Sequence, residues 1–422
     1  MTDPILAARQ ALSAKAPIVL LTGRAGTGKS HFIRTLVEEE EHVPQALLAP
    51  TGLAALNIGG QTVHSFFGLP PRPLLGFDEK PGWFFTKNAR NLRRIILDEV
   101  SMLRADTLDA MDSHLRKARK VSRPFGGVQM VLVGDFYQLP PVVRGDEMRL
   151  LEEAGYASAY AFSAHALRDP PVTFVELSEV HRQTDPHFID LLSRIRERRD
   201  IDVAVEEINA HCLERDLRAR PVLLTATNAV ADNYNARGLA SLTGDTYEYR
   251  GGFEGDPPKS QSAERFPAPM MLALRKGARV IFTQNDSAAR WVNGSLGTVR
   301  ALGEETIVVA LDTGDTVEVE RSLWPQKRYQ WNETARAMEV KEEFKYKQFP
   351  LAHAWALTIH KAQGMTLDSV EIDLGRGAFA PGQTYVALSR ARSMDGLRLT
   401  RPLTQRDVQV DPGIAEGLAR FS

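Results

Sequence analysis

Cysteine is almost absent from this chain: Cys212 stands alone among 422 residues. One thiol makes no internal disulfide, so the usage points to a reducing, cytosolic setting, with Cys212 a small buried hydrophobe rather than a nucleophile. An excess of either charge is also lacking. Lys and Arg number 52 against 53 Asp and Glu, a net of -1. That excludes a protein coated in basic surface, though not a basic groove offset by acid elsewhere. No apolar run approaches a membrane span, and the opening Met-Thr-Asp-Pro has neither the basic start nor the apolar stretch of a signal peptide. A soluble intracellular protein with no membrane partner is expected. Low-complexity tracts and short repeats are missing too. What remains is 43% hydrophobic and 25% charged, globular in composition, and long enough for about two to four domains.

The strongest local signal is at residues 18–30. The apolar, β-branched run 18–21 reads as a buried strand and breaks into Gly23-x-x-x-x-Gly28-Lys29-Ser30, the pattern of a phosphate-binding P-loop. Glycines let backbone N–H groups close around an anion, and the following helix points its positive end at it. Gly23, Ala25, Gly26, Thr27, Gly28, Lys29 and Ser30 are therefore the expected nucleotide-binding residues. Lys29 is expected on the β- and γ-phosphates of a nucleoside triphosphate and the Ser30 hydroxyl on Mg²⁺. An ordinary Gly-rich turn is the competing reading, and the strand before the loop argues against it.

Taken in order, residues 4–15 read as a helix leading into that strand, and 31–41 as the helix after it. A second apolar run, 46–49, ends in Pro50-Thr51. Residues 68–85 are rich in Pro, Gly and aromatics and suggest an irregular excursion from a sheet. A third strand, 94–97, ends in Asp98-Glu99. Downstream of a P-loop, that acidic pair reads as the metal carboxylate (Asp98) and the group polarising the attacking water (Glu99); acids suited to a helix N-terminus are the alternative. A fourth strand, 129–133, runs into Gly134-Asp135-Phe136-Tyr137-Gln138, where Gln138 is either a phosphate sensor or a turn amide. Residues 1–175 thus form one α/β unit with a mostly parallel sheet. A second unit covers 176–239 and 350–422, and between them, at 240–349, short alternating strands with a turn at 312–315 predict an inserted small β-barrel. The arginine run Arg194, Arg196, Arg198 and Arg199 reads as a solvated face, and His360 in isolation as a capped or core histidine. Only one P-loop is present.

The ordered series of motifs carries a resemblance. Ala49-Pro-Thr-Gly-Leu-Ala-Ala, Gly60-Gln-Thr-Val-His-Ser-Phe-Phe-Gly, Leu97-Asp-Glu-Val-Ser-Met, Gly134-Asp-Phe-Tyr-Gln-Leu-Pro-Pro-Val, Thr358-Ile-His-Lys-Ala-Gln-Gly and Tyr385-Val-Ala-Leu-Ser-Arg-Ala span most of the chain. In this order they resemble the Pif-type family of superfamily 1 helicases, the 5′→3′ branch, with RecD-like and Dda-like enzymes as relatives. The resemblance implies two RecA-like motor domains with ATP in the cleft between them, a wedge insertion near 68–92 and a Src-homology-3-like barrel insertion. It implies that Arg182 and Arg390 reach the γ-phosphate, that Gly364 lies at the nucleotide, and that Gln138 couples phosphate to strand movement. Pro50, Thr51, His64, Ser65, Phe66, Thr358, His360 and Lys361 would line a single-strand channel. Phe66, Phe67, Trp83, Phe84 and Phe85 are read as stacking or wedge groups, or as core packing.

The implied activity is ATP-dependent 5′→3′ translocation on single-stranded DNA with unwinding at forks or flaps. A translocase or recombination-complex subunit that unwinds weakly is the neighbouring reading. The implied partners are single strands, DNA junctions and replication or recombination proteins, met by a monomer. The family's adenine-reading glutamine usually lies further upstream of the P-loop than Gln10, so the resemblance does not carry that role over to Gln10. A compact chain without long extensions suggests the cytoplasm of a bacterial or phage-infected cell.

Overall fold

A computed structural model describes residues 3–213, 215–217, 220–255, 266–332 and 337–421. The chain divides into two units: Met1–His181 with Lys327–Lys341 and Val410–Ser422, and Arg182–Gln326 with Glu342–Gln409.

The first unit is built on β1 (Ile18–Gly23), β2 (Gln45–Ala49), β3 (Gln61–Thr62), β4 (Arg94–Leu97), β5 (Gln129–Val133) and β6 (Val172–Leu177). They form one sheet in the order β3-β2-β4-β5-β1-β6, and every pairing in it is parallel. β1, β2 and β4 are buried along their whole length, which is why they read as unbroken apolar runs. Alternate side chains divide between two cores: Ile18 and Leu20 join Leu48, Ile95 and Leu132 on one face, while Val19 and Leu21 join Ile33, Ile96 and Val131 on the other. In a parallel sheet all carboxyl ends share one edge, so the segments after β1, β2, β4 and β5 meet there. These are the P-loop, Pro50-Thr51, Asp98-Glu99 and Gly134 to Gln138. The helix Gly413–Ala419 also belongs to this unit. Gly417 there packs so closely on Phe162 that a Cβ would lie 2.4 Å from the ring.

The second unit contains β7 (Val222–Thr225), followed by β8 (Tyr247–Arg250), β9 (Gly252–Gly255), β10 (Met271–Leu274), β11 (Arg279–Phe282), β12 (Leu296–Leu302), β13 (Thr306–Leu311) and β14 (Thr316–Glu320). Next come β15 (Ser322–Asn332) and β16 (Ala337–Gln348), of which residues 327–332 and 337–341 fall to the first unit, then β17 (Leu351–His353), β18 (Ala356–Thr358), β19 (Val370–Asp373) and β20 (Leu397–Leu399). A parallel sheet has the order β18-β7-β19-β20. The inserted strands make an antiparallel sheet β14-β13-β12-β11-β17, which shares one core with Tyr249, Leu272 and Leu274 of the β8–β10 pair. The turn at 312–315 is present, closed by Leu311 N–H on the Asp315 carbonyl at 2.7 Å. Because β17 pairs with β11, antiparallel structure continues past residue 349. The long strands β15 and β16, in a sheet of order β15-β16-β9, have no counterpart in the sequence reading. The arginine run is not a solvated face throughout: Arg196 is 4% exposed, and Arg198 donates to the Val408 carbonyl.

Candidate nucleotide site and strand-binding residues

Gly23, Gly26 and Gly28 have φ of 150, 83 and 85°, values that L side chains rarely adopt. At Gly23 space is lacking as well, since a Cβ would lie 2.6 Å from the Leu177 carbonyl and 2.8 Å from Thr27 Oγ1. Thr27 closes the loop by donating to the Arg24 carbonyl at 2.9 Å, and Ala25 is buried in it. Gly28 caps the helix Lys29–Glu39 without any side-chain bond, so no cap side chain competes for the first N–H groups of that helix. Lys29 folds back, donating to the carbonyls of Gly23 at 2.6 Å and Arg24 at 2.8 Å. Its ammonium is thereby held over the loop. Ser30 is exposed on the first turn. One contact has no sequence signal: His181 N–H, four residues past β6, donates to the Gly26 carbonyl at 2.9 Å.

Asp98 directly follows β4, is 7% exposed, and its carboxylate accepts Glu99 N–H at 2.9 Å. Burial pushes its pKa up to about 7, and the charge of Glu99 adds to the rise; the Glu99 N–H bond and the Lys29 ammonium oppose it. Glu99 itself is half-buried with φ 51 and ψ 42, a left-handed conformation that is uncommon away from glycine and asparagine. Gly134 lies against this turn so closely that a Cβ would be 2.9 Å from Val100 N. Four residues on, Gln138 is buried, with its N–H on the Asp135 carbonyl at 2.9 Å. P-loop, acid pair and Gln138 are therefore packed side by side by backbone contacts.

Two further segments ring that edge. Thr51 caps the helix Gly52–Asn57 by accepting Ala54 N–H, with Pro50 half-buried before it. Thr62 caps Val63–Phe67, which leaves His64 half-buried and Ser65 exposed. Phe66 does not present its ring as a stacking platform. It is 9% exposed and packs edge-on against Phe67 and Phe85, because a five-residue helix with two adjacent aromatics turns both toward the core. Of the aromatics read as stacking groups or core, Phe85 is core, Phe84 is half-buried and Trp83 is 77% exposed.

The remaining candidates are in the second unit. Arg182 donates to the carbonyls of Ser389 at 3.1 Å and Gly364 at 3.3 Å. Gln183, a neighbour given no role by the sequence, is buried and donates to the carbonyls of Ser389 and Ala391 at 3.2 and 2.9 Å. Arg390 is 1% exposed and donates to Val386 and Met365 carbonyls and to Ser389 Oγ. Arg182 and Arg390 thus meet at Ser389, and Arg182 also holds Gly364. Thr358 is buried at the end of β18 and accepts Lys361 N–H at 3.3 Å. Lys361 is exposed, while His360 is half-buried with its pKa lowered by burial.

Comparison with known proteins bears on both units. A profile described as PIF1-like helicase matches residues 5–199. The mouse ATP-dependent DNA helicase PIF1 is 34% identical over 94% of this chain and 60% of its own length, so this chain spans about 60% of that relative and of its vertebrate counterparts. The ATP-dependent DNA helicase Pif1 of Bdellovibrio bacteriovorus is 33% identical over 96% of this chain and 88% of its own. Among solved structures, Pif1 from Bacteroides in complex with ADP-AlF4 superposes with a TM-score of 0.90 at 32% identity, covering 100% of this chain and 96% of that one. The same protein bound to ssDNA gives 0.72 over the same shares. The phosphate loop, the acid pair and the arginines gathered at Ser389 lie within that shared span, and the chain belongs to the PIF1-like helicase family.

Proposed function

We propose that this chain is an ATP-dependent DNA helicase that moves 5′→3′ along single-stranded DNA and opens duplex at forks or flaps. The observation that carries the reading is the phosphate cradle: three positive-φ glycines, an uncapped helix N-terminus and the tethered Lys29, with Asp98 and Glu99 alongside. The donor set fits Mg²⁺-ATP. Ser30 and Asp98 would hold the cation, and among the described residues no cluster of three or more acidic, His or Cys side chains forms a cage. That suits a metal whose other ligands are phosphate oxygens and water. Bound there, Mg²⁺ would supply positive charge to the phosphates.

In this reading Lys29 binds the β- and γ-phosphates and Glu99 takes the proton of the attacking water. Gln138 senses the terminal phosphate, and Arg182 and Arg390 supply positive charge to the transition state. Gly364 belongs to the nucleotide-binding set. Pro50, Thr51, His64, Ser65, Thr358, His360 and Lys361 touch the strand, with Phe66 supporting them from the core. Two parallel-sheet units act as RecA-like motor domains, and the antiparallel insertion as the accessory barrel. The polarity comes from the family alone.

The test is phosphate release from ATP with and without a single-stranded oligonucleotide, then opening of duplexes with 5′ or 3′ tails. Strand-stimulated hydrolysis with opening of the 5′-tailed duplex alone is expected. Hydrolysis indifferent to DNA refutes the reading, and stimulated hydrolysis that opens neither duplex reduces it to a translocase.

A further inference from the structure

Between Phe67 and Trp83 the chain has no helix or strand, yet it follows a fixed path. It is strapped to one face of the helix Ala105–Arg119 by three side chains at helical spacing. Asp106, 0% exposed, accepts Leu74 N–H at 2.7 Å. The buried His114 ring packs on Phe77 at 5.0 Å between ring centres and on Phe85 at 5.7 Å. Lys117 reaches the Asp78 carboxylate at 2.6 Å and the Glu79 carbonyl at 3.1 Å. Trp83, the exposed aromatic, starts the short helix that follows, and Phe85 of that helix is held by the same histidine.

Asp106 also binds Arg104, through Nε at 2.9 Å and Nη2 at 2.5 Å, and the third guanidinium nitrogen of Arg104 reaches Glu147 at 3.3 Å. Arg104 follows Asp98-Glu99 by one turn, Val100–Met102, against which Gly134 is packed. Glu147 lies on the chain that continues from Gln138. The carboxylate that holds Leu74 is therefore fixed from both phosphate-side segments of the sheet.

We propose that Asp106 and Lys117 are positioning residues that set the 68–92 segment, and Trp83 at its exposed end, for strand separation. The assignment rests on the helicase reading. The Lys117–Asp78 pair is 31% and 91% exposed, so solvent screens it and its loss is expected to leave the fold intact. Its effect is one of placement, since a displacement of about 1 Å at a working group costs up to about a hundredfold in rate.

The experiment compares the full chain with Asp106→Asn, Lys117→Met and Lys117→Arg for oligonucleotide-stimulated hydrolysis and for opening of a 5′-tailed duplex. Base pairs opened per ATP are expected to fall about tenfold in Asp106→Asn and about threefold in Lys117→Met, and to return with Lys117→Arg. Hydrolysis should stay within about twofold of the unsubstituted chain. An unchanged ratio of opening to hydrolysis, or hydrolysis falling in step with opening, overturns the assignment. If Asp106→Asn does not fold, the two Lys117 variants decide. An unsubstituted chain that hydrolyses ATP on strands but opens no duplex defeats the helicase reading instead, and the assignment falls with it.

Discussion

Asp98 is held in conflict with its own charge. Buried beside Glu99, it has a folded pKa of about 7 against an ordinary 3.8. Below about pH 4 the folded and unfolded chains both carry the proton; between there and about 7 only the folded chain keeps it. Stability therefore falls as pH rises through that window, and the full cost is present above it. Asp98→Asn, which keeps an acceptor for Glu99 N–H, is predicted to raise the melting temperature of the nucleotide-free protein in chelator by a few degrees at pH 8. The gain should shrink toward pH 4. An equal gain at both pH values would show that charge is not the cause. The same variant should lose cation-dependent hydrolysis, because the carboxylate that weakens the empty fold is the one proposed to hold Mg²⁺. Two neighbours test the proposed chemistry. Lys29→Ala should abolish strand-stimulated phosphate release by removing the cation tethered over the loop. Glu99→Gln should retain nucleotide binding and lose turnover by about two orders of magnitude or more, the scale of general-base catalysis. Normal turnover in either variant contradicts its role.

Elements are fixed where backbones approach closely, and Gly60 is one such case. A Cβ there would lie 2.2 Å from the Leu47 carbonyl oxygen, whereas neighbouring Gly59, at φ 68, faces open space. Gly60→Ala is predicted to destabilise by about 1–3 kcal/mol through overpacking, and Gly59→Ala by about 1–2 kcal/mol through its left-handed backbone. Denaturant unfolding ranks the two, and the reverse order would mean that the strand edge yields more easily than its geometry implies. Phe85→Ala empties a core position at a cost of about 3–5 kcal/mol. Trp83→Ala, at 77% exposure, should leave stability within about 0.5 kcal/mol.

That last contrast marks a limit of the sequence. β1, β2, β4 and β5 were legible because each is a short apolar run ended by a polar motif, and the site hangs on those ends. Which aromatic of Phe66, Trp83 and Phe85 faces water was not, since helices of five and seven residues are too short for periodicity to choose a face. The strands β15 and β16 were hidden for another reason: Lys341-Glu-Glu-Phe-Lys-Tyr-Lys347 carries its alternation under a dense charge run. His181 and Gln183 act through backbone carbonyls, which no residue pattern encodes.

At the scale of the whole molecule, charge decides how a strand is held. With 52 basic and 53 acidic residues there is no net field to draw in a polyanion, so affinity has to come from local contacts. In the proposed reading exposed Lys361 would supply a cation to the strand, and Thr51, Ser65 and Thr358 polar groups without charge. In that reading the counterions released count the phosphates that the strand contacts neutralise. If about four phosphates are neutralised, the logarithm of the binding constant falls against the logarithm of salt with a slope of about -3. Lys361→Ala should weaken binding equally across oligonucleotide sequences and make that slope shallower by about one. The measurement is a salt titration of binding to a labelled oligonucleotide in the unsubstituted chain and in this variant. A slope that the variant leaves unchanged removes Lys361 from the phosphate contacts. A slope near zero in both would mean that stacking alone holds the strand, with Trp83 then the first aromatic to test.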